Sequence, residues 1–515
     1  MIDACVADVV RRQARERPNG IALWFQGRET TYAELDRRSS QCAQALIAAG
    51  VKPGERIGVL AKGDDLFYVL WFGALKAGAC LNPVNWRLAP PEIGFVLKDA
   101  GVRLLVCGDD FAPAVQRILG DCPDLKTVIQ FEPGHASWTD FMSWIGSYPA
   151  EDPGRPAAAD DDVIQLYTSG TTGLPKGVQL TEANYAATFA SAAAQWARYE
   201  PGDAVLVAMP LFHVAGANIG MLALQQGAKA IVMREAEAGA IIANLEQHRI
   251  RQLFLVPALI NMVLQHPSAA GADFSSVEQV YYGASPISEE VLRRAQSVFR
   301  ADFTQLYGLT ETSGVATNLS PQAHAEGRLR ACGVASAGVE VRVWAHDHPA
   351  AVREVGEIQI RGPCVMKGYW NRPEATAEAI DADGWFRSGD AGYFDADGYL
   401  YVHDRVKDMI VSGGENVYPA EVENALFSHP AVADAAVIGV PDERWGEAVK
   451  AIVVLKAGAA ADPPGIIAHC RERIGGYKLP KSVDFVEALP RNPSGKVLRR
   501  ELRKPYWEGR ERMVG

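Results

Sequence analysis

Thr168-Ser169-Gly170-Thr171-Thr172-Gly173-Leu174-Pro175-Lys176-Gly177 places three glycines, four hydroxyl residues and one lysine in ten positions. The preceding Val163-Ile164-Gln165-Leu166-Tyr167 reads as a buried strand. Glycine carries no Cβ, so a loop of this composition can bend sharply around an anion. Its N–H groups, hydroxyls and ammonium can then converge on phosphate oxygens. The spacing is not that of a Walker A loop: Pro175 stands where Gly would precede the lysine, and no Ser or Thr follows Lys176. From the residues alone the stretch is either a phosphate-binding loop or a flexible surface loop.

Working outward, 515 residues suffice for two or more domains, and 48% hydrophobic content supports a large core. A net charge of −11 argues against nucleic-acid binding and against a broad basic membrane patch. A polyanionic small molecule fits only if cations are concentrated locally. The cysteines (Cys5, Cys42, Cys80, Cys107, Cys122, Cys332, Cys364, Cys470) are scattered, without CxxC or zinc spacing. They read as reduced thiols in a cytoplasmic protein. The N-terminal stretch lacks a signal-peptide pattern. The longest apolar run, Leu66 to Leu75, is far short of the ~20 residues that span a bilayer. No transmembrane segment is expected; peripheral membrane contact and a homodimer are left open.

Around the loop, strands and helices alternate: helix Val6–Arg15, strand Ile21–Phe25, a helix from Thr31 to Ala49 with Thr31 and Glu34 as a capping box, strand Arg56–Leu60, helix Leu66–Lys76 and strand Val102–Cys107. After the loop come helix Thr181–Trp196, strand Ala204–Met209, helix Ile219–Gln226 and strands Lys229–Met233, Gln252–Val256 and Gln279–Tyr282. Such alternation predicts an α/β protein with parallel sheets. From about 333, short strands with Gly and Asp turns predict a β-rich subdomain, and from Glu421 a compact βα pattern predicts a second, smaller domain.

Further motifs carry chemistry. Pro210-Leu211-Phe212-His213 follows a strand, and His213 reads equally as a core group or as a functional one. Tyr282-Gly283-Ala284-Ser285-Pro286 leaves a strand end, where ligands of open α/β sheets bind. Gln305-Leu306-Tyr307-Gly308-Leu309-Thr310-Glu311 joins an aromatic that can stack on a base to a hydroxyl and a carboxylate. A carboxylate near a triphosphate is best explained by Mg²⁺, a hard cation; otherwise Glu311 is a solvated loop residue. Asp390, in Trp385-Phe386-Arg387-Ser388-Gly389-Asp390, either caps a turn or accepts both ribose hydroxyls. Asp404-Arg405-Val406-Lys407-Asp408, the Gly-rich Ser412-Gly413-Gly414 and the near-terminal Pro493-Ser494-Gly495-Lys496 complete the set.

In this order, from about 160 to 500, the motifs resemble those of the adenylate-forming (ANL) superfamily, and within it the acyl-CoA synthetases and fatty-acid–CoA ligases. The resemblance implies a large N-terminal AMP-binding domain (1–403), a hinge at 404–408 and a small mobile α+β C-terminal domain (409–515). It implies ATP, Mg²⁺ and CoA as cofactor and co-substrates. Thr168, Ser169, Gly170, Thr171, Thr172, Gly173 and Lys176 would hold phosphates. Gly283, Ala284, Ser285, Gln305, Tyr307 and Gly308 would flank adenine, Thr310 would touch phosphate and Glu311 would bind Mg²⁺. Asp390 would accept the ribose hydroxyls, Arg405 would meet the ribose or a phosphate, Asp404 and Lys407 would form the hinge, and Ser412, Gly413 and Gly414 would line the CoA tunnel. Lys496 would stabilise the charge developing at the α-phosphate. His213, Val214, Ala215, Ala217, Gly283, Gly308, Val315 and Trp385 would form the acyl pocket, with His213 as its gate.

The implied reaction is ATP-dependent activation of a carboxylic acid as acyl-AMP, then transfer to CoA. The expected pocket offers no carboxylate to pair with a substrate amine, which disfavours amino acids. Fatty acids rank first, then aryl, alicyclic or steroid side-chain acids. An acyl-AMP ligase serving a carrier protein, an oxidative luciferase and an inactive nucleotide-binding scaffold are the alternatives.

Overall fold

The computed structural model describes residues 5–132, 134, 137–168, 175–345, 347–405, 408–412, 415–442, 444–492 and 496–508, with backbone alone at 403–405, 415 and 416. Two large sheets carry the N-terminal part. One runs Gly368–Tyr369, Lys176–Thr181, Asp162–Thr168, Cys80–Pro83, Arg56–Leu60, Leu104–Cys107, Thr127–Gln130 and Thr139–Asp140. The other runs Val334–Ala335, Thr317–Leu319, Asp302–Tyr307, Gln279–Gly283, Gln252–Leu255, Ala204–Val207, Lys229–Val232, Ile21–Phe25 and Arg28–Thr31. The strands at the heart of both sheets pair in parallel, as the alternation predicts.

The helix Leu66–Ala77 is buried along its whole length, so apolar residues all round it are what its surroundings demand. Trp71 Nε1 donates to Val163 O at 3.1 Å, tying this helix to the strand that leads into the glycine-rich loop. The helix Tyr32–Ala48 starts at Thr31, whose hydroxyl accepts the Glu34 N–H, and ends before Gly50 at φ +84°. The Glu34 carboxylate pairs with Arg38.

Two elements differ from the sequence reading. Lys176–Thr181 is a strand, antiparallel to Asp162–Thr168, so the glycine-rich loop closes a hairpin before the helix Glu182–Gln195 begins. The helix after His213 starts at Val214, five residues earlier than expected. Its first turn fits only with Gly216, where a Cβ would lie 2.3 Å from Pro210 O.

The β-rich sheet orders His348–Pro349, Glu340–Ala345, Gly356–Arg361, Phe386–Phe394 and Leu400–Arg405, all antiparallel. Beyond it, Glu415–Val417, Ile410–Ser412, Gly446–Leu455, Val432–Asp442 and Ser482–Phe485 form a separate sheet. That sheet has its own apolar clusters, one around Val422, Leu426, Val437 and Ile466 and one around Ile438, Ile452 and Leu489. All eight cysteines are free thiols. Among the described residues no helix is long and apolar enough to cross a membrane.

Candidate active site

The hairpin register sets Thr168 opposite Lys176 at the mouth of the glycine-rich loop. Ser169, Gly170, Thr171, Thr172 and Gly173 lie outside the described residues. On its other edge the Lys176 strand pairs with Gly368–Tyr369, with Tyr369 opposite Val178, and Trp370 N donates to Gly177 O at 2.7 Å. Lys176 Nζ stands 4.8 Å from the centre of the Tyr369 ring, a cation–π contact. The Tyr369 hydroxyl donates to Glu311 Oε1 at 3.0 Å. Met366 N, from the same segment, donates to Glu311 O at 2.8 Å. Strand pairing thus joins the lysine of the loop to the buried carboxylate of Thr310-Glu311.

The parallel strands Gln279–Gly283 and Asp302–Tyr307 are in register, Gly283 beside Leu306. Their carboxyl ends therefore deliver Gly283-Ala284-Ser285 and Tyr307-Gly308 side by side. A Cβ on Gly283 would lie 2.1 Å from Leu306 O, and one on Gly308 would lie 2.5 Å from Gly314 O, so both must be glycine. Ala284 adopts φ +66°, strained for a residue with a Cβ, and is exposed at this edge. Gln305 is turned inward: its Nε2 donates to Cys332 Sγ at 3.4 Å, and its Oε1 lies 3.4 Å from the Tyr282 hydroxyl oxygen. Tyr282 also bonds His324 Nε2 at 2.9 Å, while His324 Nδ1 lies 2.8 Å from Ser320 O. A carbonyl can only accept, so Nδ1 carries the proton and Nε2 receives the Tyr282 hydroxyl.

The Tyr307 hydroxyl donates to Asp390 Oδ2 at 2.9 Å. Burial and the Asp390 charge together push that phenol well above its ordinary range. Asp390 is held on its strand by its own N–H donating to Ser388 Oγ at 3.0 Å, and the strand register sets Arg405 directly opposite it, with Asp404 opposite Ala391. Lys407 lies outside the described residues.

His213 stands at the position just before the helix Val214–Gln225, without a side-chain hydrogen bond to it, and packs on Phe212, ring centres 4.5 Å apart. Its Nε2 is shielded from solvent and has no hydrogen-bond partner among the described residues. Burial, and then the Arg87 charge, pull its pKa down to about 4, so the ring is neutral at pH 7. Val214 borders the Tyr307 segment: a Cβ on Gly314 would stand 3.3 Å from it. Asn218 of the same helix donates to Ser313 O at 2.9 Å and accepts from Tyr185 at 2.9 Å. Ala215 is half-buried and Ala217 fully buried. Val315 lines a narrow crevice with Ala187, Thr188, Ala192 and Cys364. Trp385 is buried between Arg342 and Arg361, whose guanidinium carbons lie 4.1 and 4.5 Å from its ring. Its packing partners thus belong to the β-rich sheet.

Lys496 is tied to Asn492 in the C-terminal part: its N–H donates to Asn492 Oδ1 at 2.8 Å and its carbonyl accepts the Asn492 N–H at 2.7 Å. Ser412 is buried, with Gly446 as strand partner. Gly413 and Gly414 lie outside the described residues. The residue that sequence reasoning missed is Tyr369. Gly368–Tyr369 is two residues long, and no local pattern says that it completes a sheet beside Lys176.

Among the described residues no group of three or more His, Cys, Asp or Glu gathers into a metal cage. The donor at hand is one buried carboxylate, Glu311, beside the hydroxyl of Thr310. That set fits Mg²⁺, which takes one or two carboxylates and completes its shell with phosphate oxygens and water.

The family model for AMP-binding enzyme matches residues 10–370, and that for the AMP-binding enzyme C-terminal domain matches 421–496. The chain is 40% identical to the fatty acid–acyl-carrier-protein ligase ScoC of Streptomyces coeruleorubidus, over 97% of this chain and 96% of that one. It is 38% identical to a feruloyl-CoA synthase of an Amycolatopsis species, over 96% and 98%. The crystal structure of the anthranilate CoA ligase AuaEII with anthranoyl-AMP superposes with a TM-score of 0.92 at 26% identity, covering 98% of both chains. The chain belongs to the AMP-binding enzyme family, the adenylate-forming ligases.

Proposed function

We propose that this adenylate-forming acid–thiol ligase joins a carboxylic acid, a fatty acid in the first place, to CoA through an acyl-AMP. The observation that carries the reading is that Lys176, Glu311, Tyr307 and Asp390, drawn from three different sheets, are linked through Tyr369 and through the Tyr307–Asp390 hydrogen bond. A purine stacked on Tyr307 would leave its ribose at Asp390 and its phosphates between Lys176 and Glu311. Bound Mg²⁺ would supply charge neutralisation on the phosphate oxygens, with Glu311 as its protein ligand. A carboxylate oxygen of the acid attacks the α-phosphorus, and pyrophosphate leaves with the electron pair. No nucleophilic side chain is needed; positioning and preorganised charge do the work. In the second step the CoA sulfur attacks the acyl carbonyl, and AMP leaves with its phosphate oxygen.

We assign Lys496 to the first step and the 412–414 loop to the second, exchanged by rotation about 404–408. His213, uncharged and next to the small residues of its helix, suits the wall of an apolar acyl pocket, whereas the contacts of Trp385 give it no part there. Substituting Lys496→Ala is expected to cut acid-dependent ATP–pyrophosphate exchange at least a hundredfold. CoA-dependent turnover of preformed acyl-AMP should fall less than fivefold. Equal losses would overturn the rotation. The likeness to ScoC favours a second reading, in which a carrier-protein thiol replaces CoA. AMP release from a panel of fatty and aryl acids, with CoA and with a phosphopantetheinylated carrier in parallel, separates the two.

A further inference from the structure

We propose that Tyr369 is a positioning residue that orients Glu311 toward the metal and indexes Lys176 to it, so that both phosphate-neutralising groups are set by a single ring. The proposal rests on the reading of Glu311 as the Mg²⁺ ligand, and it names a residue outside all the motifs that led to that reading.

Three features of Tyr369 support it. Its hydroxyl holds Glu311 Oε1 at 3.0 Å, which fixes the carboxylate's rotation through one of its two oxygens. Its ring face lies under the Lys176 ammonium at 4.8 Å, which would otherwise be drawn straight to the Glu311 carboxylate. A direct Lys–Glu pair would use up the charge that each group needs for ATP; the aromatic between them keeps the two apart.

The third feature is rigidity. Tyr369 N donates to Thr376 Oγ1 at 2.9 Å, and the strand register fixes its backbone against Val178. Its neighbour Trp370 carries the Arg56 guanidinium 3.4 Å from its ring centre and donates from Nε1 to Asp99 O at 2.9 Å. Arg372 pairs with Asp99 at 2.6 Å, and Tyr167, from the strand that enters the glycine-rich loop, donates to Asp99 at 2.7 Å. A side chain anchored on both sides loses little freedom when it orients another. Partners behind a metal ligand typically govern metal affinity by 10–100-fold.

The test uses the full chain, Mn²⁺ as the metal and α,β-methylene ATP without acid, so that no reaction occurs; free Mn²⁺ is read by electron paramagnetic resonance. Glu311→Gln is expected to weaken Mn²⁺ in the ternary complex by more than tenfold, and Tyr369→Phe by about tenfold. The double variant should be no weaker than Glu311→Gln, because Tyr369 acts through that carboxylate. Nucleotide binding without metal should stay within twofold for Tyr369→Phe, an outcome that a general loosening of the site would not produce. Tyr369→His, which keeps a ring and a donor, should bind Mn²⁺ more tightly than Tyr369→Phe; it also carries the test if the phenylalanine variant fails to fold. If Glu311→Gln weakens Mn²⁺ while Tyr369→Phe does not, or if the two losses add, the positioning role is overturned and the metal site stands. If neither variant changes Mn²⁺ affinity, the metal reading of Glu311 falls and takes this one with it.

Discussion

At the level of single residues, His213 shows what burial does to a titratable group. Its folded pKa, about 4, lies below the ordinary 6.5. Between these values the unfolded chain binds a proton that the folded chain refuses, so stability is full above pH 6.5 and is lost as pH falls toward 4. At pH 5 the linkage amounts to about 2 kcal/mol. Substituting His213→Phe, an uncharged ring of similar bulk, should remove that share of the acid destabilisation. Urea unfolding at pH 8 and pH 5 measures it; the same drop in both proteins would refute the assigned pKa. Residues of this kind differ in how well their sequence announces them. Tyr307 and Glu311 fall within five positions of one another, in a run whose resemblance to the adenylate-forming motif implies a role for each. Tyr369 and Glu311 are 58 positions apart and meet only because strand Gly368–Tyr369 adds to the edge of strand Lys176–Thr181. No local pattern encodes such a pairing.

The secondary-structure elements position the site by register. Gly283 and Leu306 sit side by side on adjacent parallel strands, and the 2.1 Å gap that a Cβ at Gly283 would leave to a backbone carbonyl cannot be relieved by a rotamer change. We expect Gly283→Ala to push the two strand ends apart, costing about 3 kcal/mol of stability and weakening nucleotide binding with it. Chemical denaturation and equilibrium binding of ATP check both effects. A variant as stable as the parent would mean that the strands are not packed this closely. Elements announced by their own residues, such as the continuously apolar helix Leu66–Ala77 and the helix Tyr32–Ala48 with Thr31 at its start and Gly50 past its end, were readable from the sequence. Elements defined by a partner were not. Lys176-Gly177-Val178-Gln179-Leu180-Thr181 becomes a strand because it has a neighbour on each side, and Val214-Ala215-Gly216-Ala217 becomes a helical turn because Gly216 lets it close on Pro210.

For the whole molecule, the question is how one site could serve two reactions. The β-rich sheet ends with Arg405 opposite Asp390, so the last strand before the proposed pivot lies beside the residue we propose for the ribose. On the far side, Asp408 is tied to the C-terminal part by Arg503, 2.8 Å away on the helix Arg499–Trp507, and both side chains are largely buried. Arg499 of that helix grips both oxygens of Glu423 at 2.8 Å, which fastens the helix to Pro419–Phe427. The C-terminal part, with its own apolar clusters, holds Asp408 within one packed body, so the rotation we propose would carry Asp408 with it. Arg503→Ala would leave the Asp408 carboxylate buried without this partner and let the pivot lengthen into the lobe. Breaking a buried pair from one side costs about 3 kcal/mol. Acid-dependent pyrophosphate exchange and thioester formation from preformed acyl-AMP, each measured alone, should fall less than threefold. Full turnover from acid to thioester, which needs the lobe to change place in every cycle, should fall at least tenfold. Stopped-flow measurement of the lag between pyrophosphate and AMP release reads the difference. If both isolated steps and the full cycle fell by the same factor, Arg503 would matter for stability alone and the pivot would have to be sought elsewhere.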